Sequence, residues 1–206
     1  MKKKILIAIA VMVFSFTNAQ NVKFGVKGGI NLSTFTGDIE NVSSKVGFQA
    51  GGFAELKLSD KFSIQPEILY SAQGAKIKEN GETYTYKENI NTSYLNVPVL
   101  AKYYIVNKFS VEAGPQIGFL LGAKSKWEET SSKGEKYSGN ESVKDSFKSV
   151  DFGLNVGAGY DFTENISADV RYNFGMSNIF KSSDPLDSSD SKIHNNVISL
   201  SVGYKF

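Results

Sequence analysis

The chain has 206 residues, 13% of them aromatic, with 19 glycines, one histidine and no cysteine. The lack of cysteine excludes disulfides, thiolate metal sites and a thiol nucleophile. Its 23 lysines and arginines stand against 21 acids, and three of those lysines fall in the leader described next. The rest of the chain is close to neutral, so it has no basic field for a nucleic acid to read.

Lys2, Lys3 and Lys4 precede an apolar run from Ile5 to Phe16, and the small-residue site Thr17-Asn18-Ala19 precedes Gln20. That order predicts a signal peptide, residues 1–19, cleaved to leave a single domain at 20–206. The run is shorter than the ~20 residues a spanning helix needs. No later apolar run is long enough for a helix either, so membrane insertion would have to be by a closed β-barrel.

From Gln20 onward, short segments alternate between apolar and polar residues, the period of a half-buried strand. Eight are predicted: about Val22–Leu32, Val46–Leu58, Phe62–Gly74, Ser93–Ile105, Phe109–Leu121, Val150–Phe162, Ile166–Met176 and Asn196–Phe206. The last is the clearest. Ile198, Leu200, Val202, Tyr204 and Phe206 fall on one face, and Val197, Ser199, Ser201, Gly203 and Lys205 on the other. An even number of such strands predicts an all-β, eight-stranded antiparallel up-and-down transmembrane barrel, its edges removed by closure of the last strand on the first.

Connections support this. Three are short: Ser59-Asp60-Lys61, Val106-Asn107-Lys108 and Thr163-Glu164-Asn165. Four are long: about 33–45, 75–92, 122–149 and 177–195. Short and long alternate, so short turns share one end and long loops the other, as periplasmic turns and extracellular loops do. The short turns also repeat a pattern of polar pair, apolar residue, Ser, apolar residue: Asp60-Lys61-Phe62-Ser63-Ile64, Asn107-Lys108-Phe109-Ser110-Val111 and Glu164-Asn165-Ile166-Ser167-Ala168. The hairpin is the repeating unit.

The polar face is rich in Gly, Ser and Asn, which suits the narrow interior of an eight-stranded barrel rather than a solvated exterior. Its charges balance, Lys23, Lys27, Lys57, Lys102, Arg171 and Lys205 against Glu55, Glu67, Glu112, Asp151, Asp161 and Asp169. Buried charges need partners. Lys27, Glu55, Glu67, Lys102, Glu112, Asp169 and Arg171 are the candidate lumen network, with Lys23, Lys57, Asp161 and Lys205 assigned to the periplasmic mouth. Aromatics near both strand ends on the other face, such as Phe62 and Phe109 or Phe48 and Phe119, form two girdles around an aliphatic band. Pro66, Pro98 and Pro115 fall inside strands, where each deletes a ladder donor, and predict bulges or broken pairing.

Several fragments carry a resemblance: Val26-Lys27-Gly28-Gly29-Ile30-Asn31-Leu32, Ile64-Gln65-Pro66-Glu67-Ile68-Leu69-Tyr70 with Gly74, Tyr94-Leu95-Asn96-Val97-Pro98-Val99-Leu100-Ala101-Lys102-Tyr103, and Ala113-Gly114-Pro115. Through them the chain resembles the small outer-membrane β-barrel proteins common in Bacteroidetes, the PorT-like "porin family" group, with a plan similar to OmpA- and OmpX-type barrels. The resemblance implies the outer membrane of a Gram-negative bacterium, contact with outer-membrane lipid, and insertion by the barrel-assembly machinery, for which Tyr204 and Phe206 look like the terminal signal. It also implies, for some relatives, service to a secretion or motility apparatus.

Catalysis finds little support. His194, the one histidine, is near Ser188, Ser189 and Asp190 in a polar run, but a triad needs positioned partners. Asp184, Asp187 and Asp190 lack the Gly and Glu of a calcium loop. No phosphate loop, metal cluster or cofactor motif occurs. The stretch with Trp127, Glu128, Glu129, Lys133, Lys136, Glu141, Lys144 and Asp145 reads as a mobile charged surface, with Trp127 a possible anchor for an extracellular ligand. The expectation is a filled, charge-paired barrel presenting loops for structural or binding work; the alternative, from the glycines, is a narrow channel for small solutes.

Overall fold

The computed structural model describes residues 22–181 and 192–206. The predicted leader lies outside them, as do Asp184, Asp187, Ser188, Ser189 and Asp190. The described residues form nine strands: β1 (Val22–Gly37), β2 (Val42–Lys57), β3 (Phe62–Asn80), β4 (Tyr84–Val106), β5 (Phe109–Ser131), β6 (Lys136–Ser142), β7 (Val150–Asp161), β8 (Ile166–Gly175) and β9 (Ile193–Lys205). Eight close into an antiparallel ring, β1-β2-β3-β4-β5-β7-β8-β9, with β9 paired back onto β1; β6 hangs on the upper part of β5 outside the ring. Closure leaves the ring no exposed edge.

The short turns all lie at one end, and two of them use a hydroxyl as their cap. Thr163 Oγ1 accepts from the N–H of Asn165 (3.2 Å) and of Ile166 (2.9 Å), and Ser59 Oγ accepts from Lys61 (3.4 Å). A side chain that mimics a backbone acceptor tightens the turn locally. From there the register runs upward, and the two faces separate as the alternation requires. Phe24, Val26 and Ile30 are 62%, 51% and 60% exposed, whereas their neighbours Lys27 and Asn31 are buried.

The prolines interrupt pairing without slipping the register. Between β3 and β4 the ladder runs Pro66↔Val99 and resumes at Leu69↔Asn96; between β4 and β5 it runs Pro98↔Gln116 and resumes at Ala101↔Ala113. Pro115 stays opposite Leu154 in an unbroken ladder with β7. The shifts of register lie elsewhere, between Ser44 and Gln49, Ser93 and Tyr94, and Tyr104 and Val106.

The long connections differ from expectation. Much of 33–45, 75–92 and 122–149 is strand rather than loop. The β3–β4 hairpin turns only at 81–83, and β5 continues to Ser131 before turning back as β6. β4 and β5 have 23 residues each, about 75 Å at ~3.3 Å per residue, where a strand crosses a bilayer in ~9–11. Above the apolar band these strands carry mostly lysine and amide residues on one face and glutamates with aromatics on the other, so the hydrophobic period stops while the strand does not. Thr83-Tyr84-Thr85-Tyr86 retains the aromatic and β-branched residues that favour strand.

Candidate functional site

The inward face of the ring is filled in layers. Nearest the short turns, Glu55 is held by Lys205 Nζ (2.7 Å), by the Tyr104 hydroxyl, which donates at 2.5 Å, and by the Ser63 hydroxyl at 3.1 Å. Lys205 also meets Asp161 at 3.0 Å. Lys205 was assigned to the periplasmic mouth, but only 4% of it is exposed and it is the central cation of this layer. The ladder Gly25↔Lys205 sets it inside the closing seam, where it reaches Glu55 from across β1. Lys57 is exposed, and Lys23 and Asp161 are half-buried at the rim.

At mid-height, three cations meet three carboxylates. Arg171 donates through Nη1 and Nη2 to Glu67 (2.7 and 2.8 Å) and through Nε to Glu112, with Asp169 Oδ1 3.1 Å from the same Nε. Lys27 lies 2.6 Å from Asp169 and 3.3 Å from Glu67. Lys102 is 4.0 Å from Glu112 and donates to Gln65 (3.1 Å), whose amide donates to Glu67 (2.6 Å). Glu55 and Glu67 are each 1% exposed. Charges so deep are tolerable only with such pairing. The seven network candidates thus divide into two layers, Glu55 with Lys205 below and the other six above.

The lumen glycines are overlaid rather than open. Phe53 lies against Gly25 and Gly203, and the Arg171 chain against Gly157. A small residue on one wall makes room for a large one from another.

Above the charges lies a belt of amides and hydroxyls. Gln49 donates to Ser201 (2.8 Å), Asn31 to Ser71 (2.8 Å), Asn195 to Gln73 (2.6 Å) and Asn173 to Asn155 (3.2 Å). The cavity left among them is about 20 Å³, roughly the room of one water.

An apolar plug closes the upper mouth. Phe147, on the β6–β7 connection, and Ile179, beyond β8, are each 1% exposed and sit among Phe35, Ile90, Tyr94 and Leu120. The two connections are tied together: Lys148 N–H donates to Ile179 O (2.7 Å) and Lys181 N–H to Ser146 O (2.9 Å), with the Phe147 and Phe180 rings 4.3 Å apart. Sequence reasoning placed both residues in loops. The available signal was isolated large apolars, Phe147 and Ile179-Phe180, inside otherwise polar runs.

His194 does not meet a nucleophile among the described residues. Its Nδ1 lies 3.0 Å from the Ser177 carbonyl, whereas the Ser177 hydroxyl donates to Asp151 (2.6 Å) and accepts from the Phe152 N–H (2.9 Å). Trp127 is half-buried, stacked on Tyr86 at 6.4 Å and close over Gly139. Burial and the adjacent Glu88 carboxylate push the Tyr86 phenol above its ordinary range.

The sequence matches the family model of the outer membrane protein beta-barrel domain over residues 18–181. The chain belongs to that family. It is therefore an outer-membrane β-barrel of a Gram-negative bacterium, and its exposed apolar face is the face turned to lipid. Among solved structures its fold is similar to Ail, the attachment invasion locus protein of Yersinia pestis, at 13% identity and TM-score 0.48, covering 91% of this chain and 100% of Ail. It is also similar to Neisserial surface protein A, at 13% identity and TM-score 0.49 with coverages of 91% and 100%. A third is OprG from Pseudomonas aeruginosa, at 14% identity and TM-score 0.40 with coverages of 90% and 96%. No curated protein sequence matches the chain. In this outer-membrane barrel the lipid-facing band rises to Leu32, Val46, Leu121 and Ile198, all at least 42% exposed.

Proposed function

We propose that this barrel is a non-conducting, non-catalytic outer-membrane protein whose work is done by the strand extension above the membrane. The observation that carries the reading is the Arg171–Glu67 contact across the lumen, flanked by an amide belt with about 20 Å³ free and capped by the Phe147 plug. An ion crossing this lumen would have to break a set of buried ion pairs with no water-filled path to replace them. The lumen network serves as internal bracing, and the surface sheet as a structural or binding element. Its sister reading, a narrow solute channel, rested on lumen glycine, and that space is occupied by Phe53 and Arg171. Liposome swelling tests the choice. Proteoliposomes shifted into an isotonic monosaccharide solution should swell no faster than protein-free liposomes, and faster swelling that scales with protein content would overturn the proposal.

A further inference from the structure

The extension of β3, β4, β5 and β6 above the lipid band sorts its charges by face. Directly opposed residues share a face. One set of rows reads Ser43↔Lys76↔Asn89↔Lys126↔Asn140 and Lys78↔Lys87↔Glu128↔Ser138, continued by Asn91↔Lys124↔Ser142 and Thr85↔Thr130↔Lys136. The set between them carries Glu79, Glu88, Glu129 and Glu141 together with Tyr86, Trp127 and Tyr137. Six lysines and one acid occupy the first face; four acids and no lysine or arginine occupy the second.

The orientation of the two faces follows from their roots. Ala75, Ile90 and Ser125 are buried and point inward with the acidic set, so the lysine face is the outward one, continuous with the lipid-facing surface. On β5 the step from lipid-facing Leu121 to exposed Lys124 is three residues. That is about 10 Å of strand, or ~7 Å of height at a 45° tilt, the depth of a headgroup layer.

Two features make this face a receptor rather than a mere solvated surface. Lys78 and Lys87 stand directly opposite each other, an arrangement that destabilises a bare sheet. Among the described residues none of Lys76, Lys78, Lys87 and Lys126 forms an ion pair, although Glu128 is beside Lys87. Those four lysines also line one groove of about 630 Å³ with Asn89, Asn140, Glu88 and Glu128, within the roughly 300–1,000 Å³ range of small-molecule sites. An anion there would meet four ammonium groups and amide donors against the carboxylates of Glu88 and Glu128, so the cations outnumber the acids two to one.

We propose that this groove holds the phosphorylated sugar headgroup of an outer-leaflet glycolipid, so that the extension lies against the membrane surface by its lysine face. Phosphate meets clustered lysines as a multivalent acceptor, and continuity with the lipid band favours an anchored ligand over a soluble one. Binding at this groove is independent of whether the lumen conducts.

The test is native mass spectrometry of the full barrel in a zwitterionic detergent. The probes are a bis-phosphorylated acylated glucosamine disaccharide, the same lipid without its phosphates, and the phosphorylated disaccharide without acyl chains. The wild type should retain the first at least about tenfold better than either of the others. Lys76→Gln/Lys78→Gln/Lys87→Gln/Lys126→Gln should lose that preference, and the single Lys87→Gln, at an exposed position, should weaken retention about fivefold. Glu79→Gln/Glu129→Gln, on the opposite face, should leave it unchanged. Equal retention by Lys87→Gln, or equal retention of the dephosphorylated lipid, would overturn the site. Equal binding of the chain-free disaccharide would overturn the lipid as its source.

Discussion

Arg171 and Glu67 stand on diametrically opposite strands of the ring, β8 and β3, and join across the lumen through two hydrogen bonds of 2.7 and 2.8 Å. Neighbouring strands are joined by their ladders; this pair joins walls that share no ladder. It converts a hollow ring into a cross-braced one. The same guanidinium reaches Glu112 on β5 and Asp169 on its own strand, so a single residue ties three strands at one height.

Breaking that brace should be expensive. Arg171→Ala leaves Glu67 buried beside an inadequate set of cations, and removal of one partner of a buried pair typically costs about 3–5 kcal/mol. Arg171→Lys keeps the charge but not the fork, and should fall between the two. Equilibrium urea unfolding of the barrel in micelles measures both. An Arg171→Ala variant as stable as the wild type would show the brace to be energetically idle.

The lower layer makes a smaller, separate prediction. Tyr104→Phe removes the 2.5 Å hydrogen bond to Glu55 while retaining the ring. Glu55 keeps Lys205 and Ser63, so the loss should be about 1–3 kcal/mol by the same unfolding measurement.

Gly74 is required by its backbone. Its φ is +137°, and an added Cβ would lie 2.0 Å from the Ile90 carbonyl oxygen. Ser33 brackets it, donating to its carbonyl at 2.8 Å and accepting from its N–H at 2.9 Å. Gly74→Ala should therefore destabilise by more than about 1 kcal/mol, whereas Gly122→Ala, with nothing within 4 Å of the new methyl, should change stability little.

The direction of the faces can be read with one label. Because the chain has no cysteine, Leu200→Cys and Ser201→Cys give adjacent single sites, 53% and 1% exposed. A nitroxide at position 200 should be relaxed strongly by lipid-dissolved oxygen, and one at 201 weakly. The reverse order would turn the barrel inside out.

How much of this was legible beforehand follows from what each layer leaves in a linear pattern. The transmembrane strands carry a strict period of two because lipid and lumen demand opposite residues, so their positions and phases were readable. Balanced lumen charges were visible as a set, but not their partners: Arg171 and Glu67 are 104 residues apart, and only ring closure makes them face each other. Lys205 looked like a rim residue because it lies one residue from the end of a strand, and the shear of the closing seam carries it inside. The extension above the membrane was missed for a different reason. Neither face is an unbroken apolar row, since lysines lie on one and glutamates among aromatics on the other, and a hydrophobic period does not register that. The plug left only isolated apolars, Phe147 and Ile179-Phe180, as its signal, because the two connections that carry them meet only in three dimensions.

Planar-bilayer recording of the purified barrel tests most directly whether the lumen is sealed. Neither the wild type nor Phe147→Ala should give stable conductance, because the Arg171–Glu67 layer still closes the path, and channel activity should appear only when Arg171→Ala is added to Phe147→Ala. Steady single-channel steps from the wild-type protein would contradict a sealed lumen.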